Sequence, residues 1–349
     1  LVESLEKVRD ASDWARPRPA PPGRKRALGV AAMTHTSAFL SSGAIVRLQG
    51  DGTVILNVGA VDIGQGSDTA LSQMCAAALG LDIEQVSFAT PDTDSAPYNY
   101  GTNASRVTYT VGQAVHQAAM QVRTQLLEHG AAMLECEPDE LELRPGGRIG
   151  VNAEPARNAE VSFADIAGRS LWAVGGPITG SGSFIPNDPP DPQHTKLTGF
   201  LGLDALSVLT FGAQVVEIEI DEVTGAIEVL EAWCAHDVGR AINPGAVESQ
   251  IQGGFVQGQG YALCEEMLWE DGRLVNPSFM DYKFPGTLDT PDKIHAIILE
   301  TPEVSHPFSV KGVGEPPLVG AAPAINNAVS AATGLRLKQI PLTPERVLR

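Results

Sequence analysis

Apolar and polar residues change their spacing several times along the chain, and each change marks an element. In residues 1–15, Leu5, Val8 and Trp14 recur at helical spacing with charges between them, which predicts a short helix. The run Arg16-Pro17-Arg18-Pro19-Ala20-Pro21-Pro22-Gly23 cannot hold a helix and predicts an extended linker. From Gly29 the pattern becomes that of strands. Residues 44–48 and 54–58 flank Gln49-Gly50-Asp51-Gly52-Thr53, a hairpin signal. The second strand runs through Asp62-Ile63-Gly64-Gln65-Gly66 into a helix over 69–79, which Ser67 or Asp68 can cap and Gly80 ends. Residues 86–89 predict another strand, followed by a long polar loop and a helix over 105–134.

Residues 139–195 are less regular. They predict a hairpin around Pro145-Gly146-Gly147, a short helix over 163–168, a loop-rich stretch over 175–182 and a surface excursion at Asn187-Asp188-Pro189-Pro190-Asp191-Pro192. The last third opens with strands over 211–220 and 227–236, and the alternation in Val215-Val216-Glu217-Ile218-Glu219-Ile220 predicts a half-buried strand. After Asn243-Pro244 comes a helix over 246–264 that contains Gly253, Gly254, Gly258 and Gly260. Each such glycine costs about 1 kcal/mol against alanine, so a neighbouring helix or a ligand must approach closely there. The pattern predicts an α+β fold of mixed and antiparallel sheets with packed helices, in segments 1–27, 28–200 and 201–349.

With 349 residues and 43% hydrophobic content, the chain can bury one large core or two lobes. The formal charge of -18 argues against nucleic acid or an anionic membrane as partner. No apolar run approaches the roughly 18 residues that span a bilayer. Cys75, Cys136, Cys234 and Cys264 lie far apart without a CxxC, which suits neither zinc nor an iron–sulfur cluster and predicts a reduced, cytoplasmic chain. The basic cluster Arg16, Arg18, Arg24, Lys25 and Arg26 stands out in so acidic a protein, and either a partner or solvent is expected to face it.

The candidate chemistry centres on Ser309-Val310-Lys311-Gly312-Val313-Gly314-Glu315-Pro316-Pro317-Leu318-Val319-Gly320. Gly312 and Gly314 let the backbone approach another body, and Pro316 predicts an extended conformation at Glu315. A carboxylate between Val313 and Leu318 is a candidate general base, with a solvated glutamate on a stiff turn as the alternative. Gly64-Gln65-Gly66 stands at a strand-to-helix junction, where unpaired N–H groups favour an anion, or it is a bare turn. Ala104, Ser105, Val107 and Thr108 begin the next helix with small or branched side chains, which fits a phosphate-facing helix start or a tightly packed core helix.

Several of these pieces also occur together, in order, in a known family. Asp62-Ile63-Gly64-Gln65-Gly66, Gly101-Thr102-Asn103-Ala104-Ser105-Arg106 with Gly112-Gln113-Ala114-Val115, Asn243-Pro244, Gly254-Phe255-Val256-Gln257-Gly258 and Lys311-Gly312-Val313-Gly314-Glu315-Pro316-Pro317 carry the likeness. Over residues 28–340 the chain resembles the second half of the molybdopterin-binding subunit of molybdenum hydroxylases, the xanthine dehydrogenase and aldehyde oxidoreductase family. The resemblance implies that Gly64, Gln65 and Gly66 contact the phosphate side of the pterin. It implies that Asn103, Ala104, Ser105 and Thr108 line the pterin, that Gln257 binds the pterin or cofactor face near the metal, and that Glu315 is the catalytic base. Molybdenum is then held by the pterin's own sulfurs, so no protein metal ligand is expected. The cofactor implied is molybdopterin with Mo, in its cytosine dinucleotide form. Arg106 would touch that dinucleotide or make a salt bridge within the fold.

The Phe-Gly-Gly loop and arginine segment of the family's first half have no counterpart here. The resemblance therefore implies a partner subunit carrying the first molybdopterin lobe, as in the nicotinate dehydrogenase type. It also implies a 2Fe-2S iron–sulfur subunit and an FAD subunit in a hetero-oligomer. The implied reaction is hydroxylation of an electron-poor carbon, of a nicotinate- or purine-like N-heteroaromatic, with oxygen from water. A CO-, aldehyde- or aromatic acyl-CoA-oxidising member, or a non-catalytic structural lobe, are the alternatives. Tyr98, Tyr100 and Phe279 are candidates to stack on a substrate ring, with ordinary packing as the other reading.

Overall fold

The computed structural model describes residues 1–37, 40–152, 159–172, 175–186 and 208–348. In chain order the elements are helix α1 (Val2–Ala11), strands β1 (Arg24–Thr36), β2 (Ser42–Leu48) and β3 (Val54–Val58), helix α2 (Ser67–Leu79) and strand β4 (Val86–Ala89). Next come helix α3 (Gly112–Leu134), strands β5 (Leu141–Arg144), β6 (Arg148–Val151) and β7 (Glu160–Ser162), helix α4 (Phe163–Trp172) and strand β8 (Thr179–Phe184). The remainder holds β9 (Leu209–Asp221), β10 (Ile227–Asp237), helix α5 (Pro244–Leu263), the short strands β11 (Trp269–Glu270) and β12 (Arg273–Leu274), β13 (Lys293–Leu299) and helices α6 (Pro316–Thr333) and α7 (Pro344–Val347). The fold is α+β. The chain forms two compact units, one of Leu1–His35, Leu209–Thr301 and Val313–Arg349, the other of Thr36–Val208 and Pro302–Gly312. The segment boundary expected at residue 200 and the excursion at 187–192 lie outside the described residues.

In the first unit a four-stranded sheet runs β1-β9-β10-β13, with β9 and β10 antiparallel and β10 and β13 parallel. Alternation along β9 decides what each face meets. Val216 and Ile218 join Phe255 of α5 and Ile325 of α6 in the main core, while Val215 joins Val8 of α1 and Trp233. The strand is thus covered on both faces, not half-exposed, and even Glu219 is buried. The basic linker explains how acids survive there. Arg18 meets Glu217 at 2.8 Å, Arg26 meets Glu219 at 2.6 Å, Arg24 meets Asp221 at 3.2 Å and Lys25 meets Glu222 at 3.3 Å. For Arg18 and Arg26 the chain's own strand takes the place of the expected partner, while Arg16 stays exposed to solvent.

The glycines of α5 serve helix packing. A Cβ at Gly254 would lie 2.8 Å from Pro317 Cβ, and one at Gly258 2.6 Å from the Leu318 carbonyl, so these two positions admit α6. Gly253 faces open space.

In the second unit the sheet order is β4-β3-β2-β8, and β3 and β4 run parallel across the connecting helix α2. The stretch expected as loop over 175–182 contributes β8, paired antiparallel to β2. Glycine content misled that expectation for a physical reason. A Cβ at Gly180 or Gly182 would fall 2.1 Å from the Ala118 carbonyl or 2.0 Å from the Ala114 carbonyl, so the strand lies directly on α3. The predicted hairpin of β5 and β6 forms, and β7 extends it.

Candidate functional site

Glu315 stands at the N-cap of α6 with φ -94 and ψ -28, helical and not extended. Pro316 and Pro317 fill the first two helical positions, where a missing N–H loses nothing. The Glu315 carbonyl accepts from Leu318 N at 3.0 Å, which closes the first turn. Its carboxylate is 46% exposed, so the apolar neighbours do not enclose it, and its Oε2 lies 3.3 Å from His35 Nε2. His35 is the missed residue. It is the penultimate residue of β1, its carbonyl accepts from Thr210 Oγ1 at 3.1 Å, and its Nδ1 is buried without a partner among the described residues. Nothing in its local sequence marks it, because the contact depends on β1 lying beside α6.

Behind this turn stands a second polar pair. Gln214 Nε2 donates to the Pro317 carbonyl at 2.6 Å and lies 3.1 Å from His236 Nε2, both residues fully buried in the sheet. Burial pulls His236 down to about 3, so the ring is neutral. The amide therefore donates to an unprotonated Nε2 and fixes the turn that carries Glu315. Gln257 lies on the exposed side of α5, between the two positions where Gly254 and Gly258 touch α6.

In the second unit, Gly64, Gln65 and Gly66 form the loop before α2, but their amides do not await an anion. The Asp62 carboxylate accepts from Gly64 N at 2.8 Å, Gly66 N at 3.3 Å and Asp68 N at 3.3 Å. Burial raises the Asp62 carboxyl, yet these N–H groups outweigh it and hold it below its usual value. Burial, then the Asp62 charge, raise the neighbouring Asp68. Asp62, and neither Ser67 nor Asp68, thus caps this helix, whose N-cap Gly66 has φ 78. Gln65 also turns inward. Its Oε1 accepts from Ile63 N at 2.7 Å, and its Nε2 donates to Ser67 Oγ at 2.9 Å.

The helix expected from residue 105 starts later. Ala104 (φ 47) and Ser105 (φ 54) are both left-handed, an uncommon conformation for residues with a Cβ. A π-helical turn over Val107–Val111, which contains Thr108, then leads into α3. Such turns are frequent at functional sites. Asn103 is exposed, while Ala104, Ser105 and Thr108 are half-buried. Gly312 lies against this loop, since a Cβ there would fall 1.7 Å from the Ser105 carbonyl. The body approached by the glycine-rich segment is therefore the Ser105 backbone.

Arg106 supports the loop from beneath and is 0% exposed. It donates to Asn99 Oδ1 at 2.8 Å, to the Gly101 and Ser41 carbonyls at 3.1 and 2.9 Å and to Ser42 Oγ at 2.7 Å. Desolvation pulls its guanidinium down to about 10. Its donors are turned into the fold and not toward a dinucleotide. On the other side, Tyr109 Oη lies 2.8 Å from Ser305 Oγ and Gln113 Nε2 donates to the Ser305 carbonyl at 2.6 Å. The π-turn and α3 thereby hold the segment that leads to Gly312. Tyr98, Tyr100 and Phe279 are all exposed, and the Phe279 ring rests edge-on against Phe284 at 5.4 Å.

The sequence of the chain matches one family of cofactor-binding domains. The model for the molybdopterin cofactor-binding domain matches residues 6–291. The chain belongs to this family. It is 31% identical over 362 residues to the xanthine dehydrogenase molybdenum-binding subunit of Escherichia coli O157:H7, covering 99% of this chain and 45% of that one. It is 33% identical over 310 residues to the nicotine 6-hydroxylase large subunit of Paenarthrobacter nicotinovorans, covering 88% of this chain and 36% of that one. Among solved structures, quinoline 2-oxidoreductase from Pseudomonas putida 86 superposes with a TM-score of 0.83 at 27% identity, covering 99% of this chain and 45% of that one. The chain thus spans less than half the length of these relatives. No helix among the described residues is long and apolar enough to cross a membrane.

Proposed function

We propose that the chain is the molybdopterin-side lobe of a molybdenum hydroxylase and that Glu315 is its general base. The observation that carries this reading is the Glu315 carboxylate itself. It is fixed at a helix start, left 46% exposed and met by His35 at 3.3 Å. A base needs a rigid, reachable oxygen, and this one has both properties.

The loop of the second unit fits a bound pterin. Ala104 and Ser105 hold left-handed conformations, Gly101 has φ 141, and Asn99 Nδ2 is buried without a partner among the described residues. Strain of this kind persists where the surrounding structure imposes it, and it clusters at ligand sites. Asn103, Ala104, Ser105 and Thr108 would hold the pterin, and Gln257 would sit near the metal. The Gly64–Gly66 amides fit a phosphate less well, because Asp62 already takes them. Gln65 would have to release Ile63 or Ser67 to reach the cofactor.

Bound molybdenum would accept two electrons while an electron-poor carbon is hydroxylated with oxygen from water. The Glu315 carboxylate takes the proton lost by that oxygen. His35 Nε2, as a donor, holds the carboxylate in one orientation. The α6 turn keeps its backbone in place through Gln214 and Pro317.

Similarity to a nicotine hydroxylase and a quinoline oxidoreductase supports an N-heteroaromatic substrate. The same reading adds a cytosine dinucleotide on the pterin, a complementary lobe that completes the site, and 2Fe-2S and FAD subunits that carry the electrons away, all in the cytoplasm. Metal and pterin analysis of the purified complex tests it. Stoichiometric molybdenum with a pterin supports the reading. Their absence from a complex that retains its other subunits leaves only a structural lobe.

A further inference from the structure

Exposed apolar surface is concentrated in the stretch that follows α5. Met267, Trp269, Phe279, Met280, Phe284 and Leu288 all stand in solvent, with Phe279 81%, Met280 82% and Leu288 100% exposed. Their frame is ordered by its own bonds. Trp269 and Leu274 pair across β11 and β12. The Asn276 side chain accepts from Leu268 N at 2.9 Å and donates to the Glu266 carbonyl at 2.7 Å. Tyr282 donates to Glu265 at 2.7 Å, and the Phe279 ring meets Phe284 edge-on at 5.4 Å. Aromatic and methionine side chains are the types enriched at interface cores, and a patch of them held out from the surface marks an interaction site.

Two observations indicate what covers it. First, 99% of this chain matches only 45% of the xanthine dehydrogenase subunit, so more than half of that relative has no counterpart here. Second, the rim is acidic. Glu270, Asp271, Asp281, Asp289 and Asp292 lie in the same stretch of chain as the patch, against Arg273 and Lys283. A second copy of the chain would set these acids against each other. We infer that residues 267–288 are the docking surface for the complementary lobe, the segment that corresponds to the unmatched part of the relatives. That lobe presents an apolar face with a basic rim. The inference rests on the molybdopterin-lobe reading for its occupant, and on the geometry above for its place.

A photo-reactive benzoylphenylalanine at position 279 or 280 of the full protein tests it in the cells that make the protein. The expected cross-link joins a peptide whose sequence aligns with the unmatched part of the xanthine dehydrogenase subunit. A cross-link to another copy of these 349 residues, to an unrelated sequence, or none at all, overturns the inference. As a second measurement, Phe279→Glu with Met280→Glu leaves the melting temperature of the chain nearly unchanged, since both side chains are exposed, and lowers co-purification of the lobe at least about tenfold. Unchanged co-purification overturns the inference as well. Molybdenum is assayed separately. Its absence beside the expected cross-link would sink the cofactor reading and leave the docking surface standing.

Discussion

His35 Nε2 lies 3.3 Å from Glu315 Oε2, joining the end of β1 to the N-cap of α6 across nearly the whole length of the chain. The two residues come from opposite ends of the sequence, and the contact gives the carboxylate a defined orientation.

Replacing His35 by Ala therefore lowers kcat about tenfold, the loss expected when a polar contact to a charged group is removed. Molybdenum content and KM stay near their original values. His35→Gln, which retains a donor, recovers part of the rate. A KM effect without a kcat effect in steady-state assays would remove His35 from this role.

The glycines of α5 separate packing from propensity. Gly254→Ala and Gly258→Ala press a Cβ onto Pro317 and Leu318 and destabilise the fold by about 1–3 kcal/mol in chemical denaturation. Gly253→Ala meets open space and gains up to about 1 kcal/mol of helix propensity. Equal effects at the three positions would contradict the helix contact.

Stability depends on two buried histidines. Burial pulls His306 down to about 4, helped by the nearby His116 charge, and pulls His236 down to about 3. Both are neutral in the folded chain and take up protons once unfolded, near the ordinary value of 6.5. Below that value the unfolded state binds more protons, so stability falls as the pH drops from about 6.5 toward 4. His306 alone accounts for about 3 kcal/mol of the loss. Urea midpoints measured between pH about 7.5 and 4.5 check this, and a flat profile would contradict it.

Gly312→Ala places a Cβ within 1.7 Å of the Ser105 carbonyl and must displace the loop. Molybdenum retention in the purified complex falls as a result, with the secondary structure preserved by circular dichroism. Full retention would remove the Ser105 loop from the proposed pterin site.

The parts of this molecule that were legible in the sequence are those written in local pattern. The β2–β3 hairpin, α2 with its Gly80 stop, the β5–β6 hairpin and α5 all follow from spacing and turn residues. The ordered motifs also reached the family. What stayed hidden depends on pairing between distant segments. The basic linker reads as a surface feature until β1 is placed beside β9, where Arg18 and Arg26 meet Glu217 and Glu219. Gly180 and Gly182 read as loop until α3 is laid across them. Asp62 could have been recognised as the cap, since an acid two residues before Gly64 can fold back onto the amides that follow. His35 carried no signal at all.

The most direct test of the central claim is Glu315→Gln in the complete complex. The substitution keeps size and removes the proton acceptor. The account predicts molybdenum and pterin at the original stoichiometry, with turnover reduced by at least about two to four orders of magnitude. Turnover at the original rate with full cofactor content would contradict it.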